Sequence, residues 1–118
     1  MGRERLELGK RGEAFALTFL TSRGYTIVEK NFRCPLGEID IIAKDGIELA
    51  FVEVRTKSSL EFGTPLDSVT IKKQEQVRKL AAYYLHTKKI FGVDCRFDVV
   101  SVIKTGETFE AEVIQGAF

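Results

Sequence analysis

Apolar positions along this chain recur with two periods, and the changes between them divide it into seven elements. From about Arg3 to Arg23 the spacing is helical, and Gly24 ends the helix. Leu6, Leu17, Leu20 and Gly24 fall on one stripe, with Glu13 on the same stripe one turn before Leu17. A carboxylate on an apolar stripe is costly unless it is paired, bound to a metal or placed at the stripe's edge. Gly9 and Gly12 thin the helix beside it, which suits a close approach by another element.

Aromatic and β-branched residues from Tyr25 to Arg33 predict a strand, followed by a turn at Cys34-Pro35-Leu36-Gly37. Two more alternating runs, Ile39 to Ala43 and Leu49 to Arg55, flank Lys44-Asp45-Gly46-Ile47. Asp-Gly is the preferred central pair of a two-residue hairpin turn. With Asp45 and Gly46 as that turn, Ile42 pairs with Leu49, Asp40 with Phe51 and Glu38 with Glu53. Ser58 to Asp67 has little periodicity and reads as a loop, placed to close over the end of the hairpin. An ordinary long connection fits it as well.

Thr70 is the expected N-cap of a second helix running to about Thr87. Val77, Leu80, Ala81, Tyr84 and Leu85 form its core face; Gln74 is in register with it, while Lys72, Lys73 and Lys79 project more freely. Cys95 to Ile103 and Thr108 to Ile114 form a last strand pair, turned at Lys104-Thr105-Gly106-Glu107. Asp98 alternates there with Phe97 and Val99, toward solvent or toward Arg96. The order α-β-β-β-α-β-β predicts a single α/β domain over residues 1–118, with a mixed sheet of about five strands.

The central hairpin carries the candidate chemistry. Alternation sends Glu38, Asp40, Glu53, Arg55 and Lys57 to one face. Asp40 and Glu53 are then diagonal neighbours, roughly 7–8 Å apart at the backbone. Two carboxylates at that separation can share a hard cation, and Glu38 opposite Glu53 calls for positive charge between them. Mg²⁺, which takes one or two carboxylates and keeps several waters, suits that demand. Arg55 and Lys57 would meet an anionic substrate, and carboxylates for a metal beside cations for a phosphate suit phosphodiester hydrolysis. The same alternation also describes a half-exposed hairpin with salt bridges on its wet face. Leu49 and Phe51 share that face, however, which points to a covered pocket.

Composition narrows the partners. The chain is 44% hydrophobic and 30% charged, as expected of a globular protein, and no apolar run approaches the ~20 residues of a membrane span. A charged start without an apolar stretch behind it predicts a cytoplasmic protein. Cys34 and Cys95 have no metal-site spacing and read as reduced, structural thiols. His86 is the sole histidine, which disfavours a histidine-based nucleophilic triad. Net charge is only +1, but Lys72, Lys73, Arg78, Lys79, Lys88 and Lys89 face just one carboxylate, Glu75, between residues 70 and 89. That clustering fits a basic face for a polyanion, and equally a solvated lysine-rich helix.

Glu13, Asp40 and Glu53-Val54-Arg55, in this element order, resemble the signature of the PD-(D/E)xK nuclease superfamily with its restriction-endonuclease-like fold. More closely, the chain resembles the small bacterial YraN-type family, uncharacterised and nuclease-like. The resemblance spans nearly the whole length. It includes Gly9-x-x-Gly12-Glu13-x-x-Ala16, Gly37-Glu38-Ile39-Asp40-Ile41-Ile42, Phe51-Val52-Glu53-Val54, Phe62-Gly63, Lys73, Ala81-x-x-Tyr84-Leu85, Arg96-Phe97-Asp98-Val99-Val100 and Gly116-Ala117-Phe118. It implies a fold similar to that of archaeal Holliday-junction resolvases and a Mg²⁺- or Mn²⁺-dependent endonuclease acting on DNA, including branched, damaged or single-stranded forms. Asp40 and Glu53 would hold the metal, with Glu13 and Glu38 in support. Arg55 and Lys57 would stabilise charge, Gln74 would position the water, and Lys72, Lys73, Arg78 and Lys79 would bind nucleic acid. By analogy with resolvases, the chain would work as a homodimer. One departure stands out: the superfamily's usual lysine is replaced by Arg55, which stays protonated and cannot act as a base. The alternative is therefore a non-catalytic nucleic-acid-binding or partner-binding module on a nuclease fold.

Overall fold

The computed structural model describes residues 2–58 and 69–118. Helix α1 (Gly2–Ser22) is followed by strands β1 (Thr26–Cys34), β2 (Gly37–Asp45) and β3 (Glu48–Ser58). Helix α2 (Ile71–Thr87) then leads to β4 (Cys95–Thr105) and β5 (Thr108–Ile114). The strands form one mixed sheet in chain order, with β3 and β4 parallel and the other neighbouring pairs antiparallel. A parallel pair cannot be joined by a hairpin, so α2 belongs to the connection that carries the chain back. The fold is thus the α/β architecture expected from the pattern, with its element order intact.

Successive residues of a strand face opposite ways, and the two cores follow from that. Ile41, Ala43, Ala50, Val52, Val100 and Val102 pack with Ala16, Leu20 and Tyr25 beneath α1. Ile42, Leu49, Phe51 and Phe32 pack with Leu80, Ala81 and Tyr84 of α2. The α1 stripe differs from the expected one: Gly12, Ala16 and Leu20 are buried, whereas Leu6 is exposed. Gly12 sets the contact. A Cβ there would overlap the Thr56 side chain, so only glycine lets α1 lie this close to β3. Thr70 caps α2 by accepting the Lys73 N–H at 3.1 Å, as its position predicts.

The central hairpin turns one residue later than Asp45-Gly46 suggests. Gly46 and Ile47 form the turn and Asp45 pairs with Glu48, so Ile42 opposes Phe51 and not Leu49. Asp45 stays in the strand because its carboxylate accepts from Arg96 at 2.9 Å and Gln115 at 3.2 Å. The expected pairs Asp40–Phe51 and Glu38–Glu53 are therefore not formed. Both cysteines are free, Cys34 half-buried and Cys95 exposed. Among the described residues, no helix is long and apolar enough to cross a membrane. The expected Ser58–Asp67 loop lies, after Ser58, outside the described residues.

Candidate active site

The site begins where the β2–β3 ladder ends. Pairing runs from Asp45–Glu48 to Ile41–Val52; next along β2, the Asp40 carboxylate accepts the Val54 N–H at 2.8 Å. A side chain thus replaces a backbone partner, and the two strands part around it. Alternation also changes here: Ile39 and Ile42 both pack on the α2 side, with Ile41 on the α1 side. On β1, Asn31 lies between the pairs Lys30–Ile41 and Phe32–Ile39 and has a φ of 52°, a left-handed conformation that asparagine tolerates better than most residues.

Asn31 ties three elements together. Its side-chain amide donates to Glu13 of α1 at 2.9 Å and to Glu38 of β2 at 3.0 Å, and Arg33 holds Glu38 at 3.2 Å. Glu38 therefore points toward β1 and does not oppose Glu53. The single charged face expected of the hairpin is divided by the switch at Asp40. Glu13 and Glu38 still act on Asp40 through their charge, and Asp40 acts on Glu53.

Glu53 is 3% exposed on the side of β3 that α2 covers. Its Oε2 lies 3.7 Å from Lys73 Nζ and 3.8 Å from an Arg55 guanidinium nitrogen. Among the described residues, its Oε1 and the Arg55 Nε are buried without a hydrogen-bond partner. Burial pushes the Glu53 carboxyl up to about 7; Asp40 adds to this, while Lys73 and Arg55 oppose it. Burial likewise raises Asp40 to about 6, against the Val54 N–H and despite Lys73, with Glu13 and Glu38 adding to the rise. Two adjacent carboxyls raised in this way and one orphaned oxygen mark a place where negative charge is underpaid by protein cations. Among the described residues, no three acidic, histidine or cysteine side chains converge to cage a metal ion. Asp40 and Glu53 would therefore supply two oxygen ligands, leaving water and phosphate oxygens to complete the shell of a Mg²⁺-like cation.

Beside this pair a cleft of about 290 Å³ opens between α1 and the end of β3. Arg5, Gly9 and Glu13 line it from the helix, and Asp40, Arg55 and Thr56 from the sheet. Arg5 was not evident as a site residue from sequence spacing, because nothing local marks which turn of α1 meets the sheet.

The remaining candidates disperse. Lys73 is not on the free surface expected of it: its side chain is half-buried against Glu53, because the Thr70 cap sets the first turn of α2 beside β3. Lys57 is half-buried in register with Ile103, and no ion pair involves it among the described residues. Gln74 donates to the Val69 carbonyl at 3.2 Å at the start of its own helix. Lys72 and Lys79 border a separate depression with Leu36, Glu75 and Gln76. Arg78 lies over the rings of Phe97 and Phe118, 5.2 and 5.3 Å from their centroids.

Asp98 is fully buried, and Arg96 binds it through Nε at 2.8 Å. Arg96 also reaches Glu48 at 3.0 Å and Tyr25 at 3.0 Å, while Asp98 accepts from Tyr25 and from the Gly116 N–H. This network binds β4 to the hairpin turn and the C-terminal segment. The carboxylates of Asp98 and Asp45 are spent on it, and it is structural.

A model of the uncharacterised protein family UPF0102 matches residues 12–102. A UPF0102 protein from Moorella thermoacetica is 53% identical over 112 residues, covering 93% of each chain. One from Dictyoglomus turgidum is 43% identical over 114 residues, covering 95% of this chain and 97% of that protein. Another, from Geotalea daltonii, is 46% identical over 112 residues, covering 94% and 88%. The match includes Glu13, Asp40, Glu53 and Lys73 and extends nearly end to end in these relatives, so the chain belongs to the UPF0102 family, the YraN-type family that its motifs resemble.

Proposed function

We propose that this protein is a Mg²⁺- or Mn²⁺-dependent nuclease of restriction-endonuclease-like fold that hydrolyses phosphodiester bonds in DNA. The observation that carries the reading is the pairing of half-buried Asp40 with buried Glu53, whose Oε1 has no hydrogen-bond partner among the described residues, beside Arg55, Lys73 and an open cleft. A buried carboxylate oxygen without a donor is unfavourable in the protein alone, and a divalent cation would satisfy it. Asp40 and Glu53 would hold the ion, which, when bound, supplies an acidified water and a Lewis acid for the phosphoryl group.

The chain's own residues would do the rest. The Val54 N–H fixes the Asp40 carboxylate, and Asn31 fixes Glu13 and Glu38 around it. Arg55 and Lys73, both beside Glu53, would supply positive charge to a phosphoryl group as it gathers negative charge. Arg55 can clamp phosphate oxygens through two hydrogen bonds but cannot accept a proton.

The test is cleavage of labelled single-stranded, duplex, flapped and four-way-junction DNA, with RNA for comparison, in Mg²⁺ or Mn²⁺. Metal-dependent cutting that Glu53→Ala loses while remaining folded supports the nuclease. No cutting, with salt-sensitive binding unchanged in that variant, leaves the binding module, a reading favoured by the always-protonated Arg55.

A further inference from the structure

The turn of the central hairpin carries an isoleucine. Ile47 follows Gly46 there and is 87% exposed, the most of any large apolar residue described. Turn positions favour glycine, asparagine, aspartate or serine, so local turn chemistry gives no reason for it. Beside it the last turn of α2 and the loop into β4 leave open a cavity of about 270 Å³. Val28, Leu49, Tyr84, Ile90 and Val93 line that cavity, and the exposed Ile47 stands at its mouth. Val28 and Val93 are themselves exposed, as is Phe91, next to Ile90 in the chain. Single apolar side chains are ordinary on a surface, but several gathered around an open apolar cavity mark a contact surface.

A projecting side chain and a hollow thus lie together on one patch. Under a two-fold axis a patch meets itself, so Ile47 of each copy can enter the cavity of the other. Room is sufficient: an apolar cavity of about 150 Å³ admits benzene, and this one holds about 270 Å³. The border carries both signs of charge. Lys44 and Glu48 both line the cavity. Lys44 is exposed and forms no ion pair among the described residues, while Glu48 accepts from Arg96 at 3.0 Å with its side chain still 41% exposed. Glu29 lies close by: burial raises the Tyr84 hydroxyl above its ordinary pKa, and the charge of Glu29 adds to the rise. A border of one sign would repel its own copy, whereas a lysine and a glutamate can each meet the opposite charge across the axis. An anionic lipid surface would instead be met by these carboxylates.

We propose that the protein forms a two-fold dimer through this patch, with Ile47 of each copy seated in the apolar cavity of the other and Lys44 facing Glu48 of the other copy. The proposal does not depend on the nuclease reading. Glu53 is six residues along the chain from Ile47, roughly 20 Å at the rise of a strand. Each Asp40–Glu53 pair and its cleft therefore stay outside the contact.

The experiment is sedimentation velocity of the metal-free protein over a concentration series. Wild type should move from the mass of one chain toward that of two. Ile47→Asn, made at an exposed turn, should fold normally and weaken the dimer about tenfold or more, since two apolar side chains per dimer lose their burial. Val93→Trp, which fills the cavity, should weaken it likewise, and so should Lys44→Glu, which leaves the border with one sign. A mixture of Ile47→Asn with Val93→Trp should associate more tightly than either variant alone, because Ile47 of the second still has the open cavity of the first. A wild type that stays monomeric, a dimer that Ile47→Asn or Lys44→Glu leaves equally tight, or a mixture no tighter than its components would each overturn the proposal. A monomer bound through Ile47 to phosphatidylglycerol vesicles would overturn it as well, and make the patch a lipid contact. No outcome here reads cleavage, so failure of this proposal and failure of the nuclease reading are seen in separate measurements.

Discussion

The Lys73 ammonium stands 3.7 Å from Glu53 Oε2, delivered by the first turn of α2 to a carboxylate on β3. The adjacent Arg55 is 3.8 Å from the same oxygen. Glu53 is thus held between two cations from different elements, of which only the lysine can release a proton. Replacing Lys73 by Met removes a charge that opposes protonation of Glu53. Its carboxyl should titrate at a higher pH than in the wild type, read by ¹³C NMR of the Glu53 side chain. On the nuclease reading, cleavage near neutral pH should fall about fivefold for the first unit of that upward shift and about tenfold for each further unit, and recover as pH rises, because one pKa unit is a tenfold change in the ratio of ionised to protonated carboxyl. Lys73→Arg should keep the Glu53 titration near wild type. An unmoved titration in Lys73→Met would remove Lys73 from the site's electrostatics.

The two raised carboxyls give the metal-free protein an unusual dependence of stability on pH. In the folded protein Asp40 titrates at about 6 and Glu53 at about 7, both above their ordinary values. Between about pH 4 and pH 7 the folded state therefore binds more protons than the unfolded state, so stability falls as pH rises. The contribution of this pair is fully present below about pH 4 and gone above about pH 7. Urea unfolding in EDTA should show the decline across that window. At pH 8, Mg²⁺ or Mn²⁺ should restore stability by binding the folded state alone. A pair-dependent rise in stability over the same window, judged against Asp40→Asn/Glu53→Gln, would contradict the burial of these charges.

Glu53→Gln separates stability from activity. Glutamine keeps the shape and removes a buried charge whose Oε1 has no donor among the described residues. At pH 8 in EDTA the variant should be more stable than the wild type by about 1–2 kcal/mol, because a carboxyl that titrates at about 7 in the folded protein costs stability once it is ionised, and glutamine stays neutral. On the nuclease reading, it should lose metal-dependent cleavage. Destabilisation would show that the carboxylate serves the fold.

Arg96→Ala should do the opposite. Asp98 is fully buried and Arg96 supplies its cation, so the truncation leaves an uncompensated charge. The expected loss is about 3–5 kcal/mol by chemical denaturation. At temperatures where the variant remains folded, its cleavage should match the wild type, because no atom of this network belongs to the cleft or to the Asp40–Glu53 pair.

Gly12→Ala tests the α1–β3 contact. Its new Cβ would collide with Thr56 Oγ1 and Cγ2, and α1 would have to lift from the sheet. Overpacking of this kind costs about 1–3 kcal/mol. Gly9→Ala, facing open space, should instead stabilise by about 0.5–1 kcal/mol, since helical propensity is then the only change. Thermal melts of the two variants should move in opposite directions.

The local pattern of apolar and turn residues determined much of this protein. Element order, the capped α2 with its Val77–Leu80–Ala81–Tyr84 core, and the closeness of Asp40 to Glu53 follow from periodicities of two and 3.6, which act between near neighbours in the chain. What depends on contacts between distant segments did not follow. Asp45 looks like a turn residue because Asp-Gly favours turns, yet it is a strand residue because Arg96 and Gln115 hold its carboxylate. Lys57 reads as the lysine of the site because it shares a face of β3 with Glu53, yet the amine beside Glu53 is Lys73, brought in by the docking of α2. The division of Glu38 from Glu53 likewise arises from Asn31 on a neighbouring strand. Sequence by itself determined that Asp40 and Glu53 lie close together on adjacent strands, since hairpin geometry is local. Only the tertiary structure decided which cations and which open space surround them, because helix docking is set by packing across the whole sheet.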